Sequence, residues 1–210
     1  MKYFLDFGTH MFEGLDEFII KLGIDTNYIV FCYEPNKTVF EKSKSIISKY
    51  DNKFHSLIYV NLAIMDYTGT ITFNEHKGVW KNFSKTEYIT DYTTGSNCLE
   101  INPKYDAYNG VVFDSVSDTI GCIDVNEIFD SIVKNDNNAE IYIKCDIEGS
   151  EFKVLPRLLS SNNIKMLKKI YIEWHERFWH GSSDFDNKCI EKNNIINEFN
   201  RLNIECFTHT

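Results

Sequence analysis

Short apolar runs alternating with helical segments of about 10 to 15 residues constrain this chain more than any other feature. Tyr3 to Phe7, Tyr28 to Tyr33, Tyr59 to Ile64, Glu140 to Cys145, Lys169 to Trp174 and Ile204 to Thr208 read as strands. Between them, Phe12 to Leu22 carries apolar residues at helical spacing and stops at Gly23, and Val39 to Tyr50 turns Phe40, Ile46 and Ile47 inward. Val125 to Val133 with Asp124 as its cap, Glu151 to Leu159, and the amphipathic stretch Lys188 to Leu202 complete the helices. Strands joined through helices make right-handed crossovers and a mostly parallel sheet covered on both faces. The expected fold is an α/β open, doubly wound sandwich made by a single domain over residues 1–210.

One region interrupts the alternation. Asp66 to Gly69 reads as a turn, Thr70 to Phe73 as a short strand, and Val111 to Val116 and Cys122-Ile123 as short edge pieces. Asn74 to Gly110 is polar, aromatic and irregular, and a stretch that long in a compact domain is a functional lid or is partly disordered. His76, Trp80 and Tyr88 within it could close over a substrate, with no role readable for any of them.

The totals exclude several classes. A net charge of -9 and a pI near 5.2 argue against sequence-independent binding to nucleic-acid phosphates, which needs a basic face. Six scattered cysteines, with no CxxC pair and no His at zinc-finger spacing, imply reduced thiols and a cytoplasmic setting. The first apolar run is too short for a signal peptide, and no run of about 18 apolar residues exists to span a membrane.

In an open parallel sheet, ligands bind beyond the carboxyl ends of the strands, so the strand tips carry the functional reading. The first tip, DFGTHMFEG, puts Asp6 and Gly8 at the turn from strand to helix; it is not a GxGxxG phosphate loop. Glu34, at the second tip, stands where nucleotide-binding sheets place the acid that holds ribose hydroxyls, and Pro35 turns the chain away from it. Asn61-Leu62-Ala63-Ile64 at the third can supply backbone and apolar contacts to an adenine ring. Asp146 and Glu148 follow the buried run IYIKC and can position a hydroxyl, accept its proton or hold a cation, although Glu148, Gly149 and Ser150 equally suit a cap for the next helix. An acid at the first tip, a ribose acid at the second and no phosphate loop favour S-adenosylmethionine over a dinucleotide.

The succession DFGTH at Asp6, YEPN at Tyr33, NLAIMDYTGTITF at Asn61, GSN at Gly95, IYIKCDIEGSEFKVL at Ile141 and IYIEWH at Ile170 resembles the FkbM family of S-adenosylmethionine-dependent methyltransferases. The resemblance runs in order over nearly the whole chain, and KxDxEGxE from Lys144 to Glu151 is its most specific part. It implies a class I, Rossmann-like methyltransferase sandwich, with a seven-stranded sheet whose last strand is antiparallel, acting on hydroxyls of sugars and related metabolites. By the same matching, Asp6 and Gly8 would line the methionine end of the cofactor, Glu34 would hold the ribose, and Ala63 with Ile64 would flank the adenine. His10, Asn36 and Asn61 belong to the same cofactor side, while Asp146, Glu148, Glu173 and His175 would face the reacting centre. The chain departs from the family at His10 and Phe12, where Asn and Gly are usual.

Methyl transfer to an alcohol needs alignment and removal of a proton. His175 or Glu148 is the expected base, with Asp146 orienting the substrate or the base. Asp146, Glu148, Glu173 and His175 together suit magnesium or manganese better than zinc, or else bond one another and the substrate. The aromatic WHERFW run from Trp174 to Trp179, with His180, offers ring faces to a sugar, with Trp174 and Phe178 expected partly in the core; His55 and His209 read as ordinary surface or strand-end residues. The expected partner is a small-molecule or glycan substrate, including a nucleotide-linked sugar. The rival readings are a degenerate methyltransferase-like binding module, a nucleotide-dependent Rossmann oxidoreductase, and a nucleic-acid methyltransferase that the charge disfavours.

Overall fold

The computed structural model describes residues 1–81, 87–89, 96–99 and 113–209, with the side chains of 76–81, 87–89 and 113–115 left aside. Six strands form the main sheet: β1 (Lys2–Phe7), β2 (Tyr28–Tyr33), β3 (Ser56–Val60), β8 (Glu140–Cys145), β9 (Leu167–Ile172) and β10 (Glu205–Thr208). Their order is β10-β9-β8-β1-β2-β3, and every pairing is parallel. The chain moves outward from β1 through β2 to β3, then returns to β8 on the other side of β1 and moves outward again. The gap between β1 and β8 is therefore the topological switch point, where such sheets hold their ligands.

Two expectations about this sheet change. The described sheet has six strands, not seven, and its last strand, β10, runs parallel to β9. The physical reason is the connection: β10 follows a helix, α5 (Phe185–Arg201), and a helical crossover returns the chain in the direction of the strand it left. The third strand is also shorter than its apolar run. It ends at Val60, because the Asn61 amide donates to the carbonyls of Glu34 (2.7 Å) and Pro35 (3.1 Å) and turns the chain off the sheet.

Ala63–Met65, beyond that turn, is β4 of a second sheet. It lies beside β7 (Phe113–Asp124), which pairs antiparallel with β5 (Gly69–Lys81), and β6 (Glu87–Ile89) lies at the far edge. The short strand and edge pieces expected here thus belong to two long antiparallel strands, the first of which also takes Asn74 to Lys81 out of the region read as irregular. The alternation IGCID and TITF is too brief to reveal this length, since polar residues extend both strands. The side chains of His76, Trp80 and Tyr88, and the remainder of the irregular region up to Gly110 apart from 87–89 and 96–99, lie outside the described residues.

Helices cover both faces of the main sheet. Alternation along β1 sends Phe4 to one face, with α1 (Glu13–Leu22) and its Leu15 and Phe18, and sends Leu5 and Phe7 to the other. There α3 (Val125–Asn135), α4 (Glu151–Leu159) and α5 pack Phe129, Leu155 and Phe199, all fully buried. The helix expected over Val39 to Tyr50 divides into α2 (Lys37–Ser43) and a 3-10 segment, Lys44–Tyr50. Ser43 Oγ donates to the carbonyls of Val39 and Phe40, which loosens the α-helical ladder at that residue. Val39 is buried there, while Phe40 is half-buried against Tyr59. The last helix starts at Phe185, earlier than the expected Lys188.

Asp124 joins the second sheet to the helix layer. Its carboxylate accepts the Asn126 N–H at the start of α3 (2.8 Å) and takes the Arg157 guanidinium in a fork, with Nη2 at 2.7 Å. Loss of the cap in Asp124→Ala is expected to lower unfolding stability by about 1 kcal/mol. Urea denaturation with an unchanged midpoint would show that the cap contributes nothing. All six cysteines are unpaired, and among the described residues no helix is long and apolar enough to cross a membrane.

Candidate active site

A cleft of about 420 Å³ opens over the switch point, walled by the tips of β1, β2 and β8 on one side and by Ala63, Ile64 and the segment 96–98 on the other. That size suits a small organic ligand. Gly8 makes the floor possible. It sits at φ +77°, and a Cβ placed there would come 1.8 Å from the Asp146 carbonyl oxygen, so only glycine lets the two strand exits approach. The Gly8 and Thr9 amides both donate to the Tyr33 carbonyl, and the Asp146 amide donates to the Phe7 carbonyl, which ties the three tips together.

Below the floor lies a buried charge network. Asp6 and Lys144 are neighbours in the β1–β8 register, on the face that carries Phe4. The Lys144 ammonium donates to the Gly8 carbonyl (2.7 Å) and stands 3.4 Å from Asp6 Oδ1 and 3.2 Å from Asp146 Oδ2. Thr9 Oγ1 donates to the other Asp6 oxygen at 2.5 Å. Burial by itself would lower the Lys144 pKa, but the two carboxylates hold it above the usual lysine value. Asp6 thus lies beneath the cleft rather than in its wall, and acts on the cleft through Thr9 and Lys144.

Glu34 closes the β2 end. It is buried, and its two oxygens accept the backbone N–H groups of His10 and Asn36, each at 2.8 Å. Each oxygen keeps a further lone pair for hydroxyl donors. Burial pushes its carboxyl up to about 7, against the opposing pull of those two hydrogen bonds and of nearby positive charge. Asn36 lines the cleft, but its side-chain oxygen caps α2 by accepting from Thr38 and Val39. Asn61 does not line it, being occupied with the turn that separates β3 from β4. His10 and Phe12 both adopt left-handed backbone, φ 47° and 66°, which suits the Asn and Gly usual at these positions. Phe12 compensates by burying its ring against Tyr50 and Tyr59, and His10 by bonding Glu13 through Nδ1.

The β8 tip gathers the acids. Glu148 takes a left-handed backbone, φ 50°, followed by Gly149 at φ 93° over a shelf of Leu99, Phe178 and Trp179. Asp146, Glu148 and Glu173 all line the cleft, each about a quarter exposed. His175 lies fully buried beneath them: Nε2 is 3.1 Å from Glu148 Oε2 and 3.7 Å from both Asp146 Oδ1 and Glu173 Oε1. Its Nδ1 pairs at 3.0 Å with Glu151, which is also fully buried and accepts the Ile147 N–H at 3.0 Å. Burial would depress the His175 pKa, yet Glu148 and Glu151 hold it well above the ordinary histidine value. Asp146, Glu148 and His175 each offer one atom within 4.8 Å of the others and could hold a metal ion.

Of the residues singled out in the sequence, nine line one cleft: Gly8, His10, Glu34, Asn36, Ala63, Ile64, Asp146, Glu148 and Glu173. Lys144, Thr9 and Glu151 stand within the quoted motifs but carry no assigned role in the sequence reading. A lysine inside the buried run IYIKC was the available signal for the first; Glu151 reads as an ordinary acid in the first turn of a helix. Trp174 and Phe178 belong to the core, Trp174 against Phe152 and Phe178 against the His175 ring. His209, read as ordinary, follows β10 and reaches the cleft wall.

A search of curated proteins gave no match. Among solved structures, the chain is similar to methyltransferase FkbM from Methylobacillus flagellatus KT, with 15% identity and a TM-score of 0.49 over 94% of this chain. It spans 38% of that protein's length. The methyltransferase FkbM domain matches residues 16–189, which include the second strand tip, the acidic tip of β8 and His175, and on that match the chain belongs to the FkbM methyltransferase family.

Proposed function

We propose that this protein is an S-adenosylmethionine-dependent O-methyltransferase that acts on a hydroxyl of a sugar or polysaccharide precursor, free or nucleotide-linked, in the cytoplasm. The observation that carries this reading is the cleft itself, which joins a buried acid at the β2 tip to a cluster of carboxylates at the β8 tip. The cleft fits the cofactor: Glu34 has lone pairs for two ribose hydroxyls, and Ala63 and Ile64 offer an apolar wall to the adenine. When bound, S-adenosylmethionine supplies a methyl group already activated on a sulfonium.

The protein's part is alignment and proton removal. Gly8, Thr9 and the Lys144 network fix the floor next to the methionine end, and Asp146 faces the acceptor from the adjacent tip. As the acceptor oxygen gains the methyl group, its hydroxyl proton passes to a cleft-facing carboxylate, Glu148 or Glu173. His175 serves this step less well than either, because it lies wholly beneath them.

Calorimetric titration with S-adenosylhomocysteine tests the reading. Hydroxyl donors bind the ionised form of Glu34, whose folded pKa is about 7. As the competent fraction rises from roughly a tenth at pH 6 to nine-tenths at pH 8, Kd should fall about tenfold. Glu34→Gln should bind more weakly at pH 8 and lose the pH dependence. Wild-type protein that takes up no S-adenosylhomocysteine at either pH would refute the assignment.

A further inference from the structure

We infer that Asp146, Glu148 and His175 form a divalent-cation site of the manganese or magnesium class, with Glu151 as the group that orients its histidine. The acids alone would not carry this. The independent observation is His175 Nε2, which is fully buried, aimed at the three cleft carboxylates, and without a hydrogen bond. Glu148 Oε2 is 3.1 Å from it, within ion-pair range but off the hydrogen-bond axis.

Three features describe a ligand set. Octahedral neighbours around a small cation about 2.1 Å from each ligand lie about 3.0 Å apart, close to the 3.1 and 3.7 Å that separate Nε2 from Glu148 and Asp146. Glu151 accepts from Nδ1 and is itself fixed by the Ile147 N–H, which sets the tautomer that turns the Nε2 lone pair toward the cleft. A carboxylate behind a histidine in this way is the usual outer shell of a metal-bound imidazole. The donors are two carboxylates and one imidazole with no thiolate, which suits manganese and magnesium better than zinc.

Three protein ligands leave positions open toward the cleft, where the exposed edges of Asp146 and Glu148 face. An acceptor hydroxyl bound there would be aligned and made more acidic, and Glu173, outside the ligand set, would accept its proton. That role rests on the methyl-transfer reading; the cation site does not.

The experiment is titration of the purified 210-residue chain with manganese chloride, with free Mn(II) followed by electron paramagnetic resonance. One ion per chain is expected, with Kd raised about tenfold or more in Glu148→Gln and in His175→Ala, and unchanged in Glu127→Gln, which removes an exposed charge on α3. Circular dichroism checks the fold of each variant, and Glu148→Gln carries the test if His175→Ala does not fold. No saturable binding, or equal binding in folded Glu148→Gln, overturns the site. Parallel titration with S-adenosylhomocysteine separates the two readings: manganese bound with no S-adenosylhomocysteine uptake supports the site and sinks methyl transfer, while the reverse sinks the site alone.

Discussion

Lys144→Met is expected to destabilise the protein by about 3–5 kcal/mol, because it breaks a buried ion pair from one side only. Asp6 is 1% exposed, and its Oδ1 has no hydrogen bond, only the Lys144 charge at 3.4 Å. Methionine keeps most of the side-chain volume beside Gly14 of α1, where an added Cβ would stand 3.5 Å from the Lys144 stem, so packing changes little. What changes is charge: the Asp6 carboxylate is left in the core with Thr9 alone, and the Gly8 carbonyl loses its donor. Urea denaturation of Lys144→Met, Asp6→Asn and the double variant forms a cycle that isolates the pair. The double variant should recover part of the loss, since it removes both partners rather than one. A single variant within about 0.5 kcal/mol of wild type would show that the network is solvated and that Asp6 is not governed by Lys144.

Gly8→Ala is expected to be as severe, for a steric reason. A Cβ 1.8 Å from a backbone oxygen cannot be relieved by a rotamer, and the φ of +77° adds strain of its own. β1 and β8 would have to part at their ends, which breaks the Asp146 N–H bond to Phe7 and opens the cleft floor. The variant should either fail to accumulate as folded protein or lose more than about 4 kcal/mol, beyond the ordinary range for one substitution. Gly14→Ala is the contrast. It lies within α1, and its added methyl meets only the Lys144 side chain at ordinary contact distance, so it should be neutral or gain about 0.5–1 kcal/mol. Equal effects from the two glycines would mean that helix propensity, and not the approach of strand tips, decides both positions.

Glu34 carries a related cost. Its folded pKa of about 7 lies above the ordinary glutamate value, so its contribution to stability is full at acidic pH and is lost as pH rises through 7. Binding of the cofactor proposed here has the opposite sign, strengthening over that same interval. A carboxylate held ready for hydroxyl donors at the expense of stability is how binding sites commonly differ from cores.

The parts legible in the sequence are those set by local pattern. Runs such as YIVFCY and IYIKC name buried parallel strands because both faces of each are covered, and the order of helices and strands between them fixes the doubly wound layers. Asp6, Gly8, Glu34, Asp146 and Glu148 could be placed at strand tips for the same reason, since a tip is simply where an apolar run stops. Where a segment's fate depends on distant partners, the pattern is silent. Asn61 gives no local sign that it will bond the second tip and send Ala63–Met65 into another sheet, and β5 and β7 stabilise each other across about thirty intervening residues. Lys144 reads as an anomaly in an apolar strand until the β1–β8 register sets it beside Asp6. His175 reads as a base until folding buries it between Glu148 and Glu151. Periodicity and strand tips are properties of a few neighbouring residues, so the sequence by itself determined the layers and the place of the cleft. Charge pairing and ligand geometry are set by side chains that meet only after the strands are in register, so the tertiary structure alone decided what the acids at those tips confront.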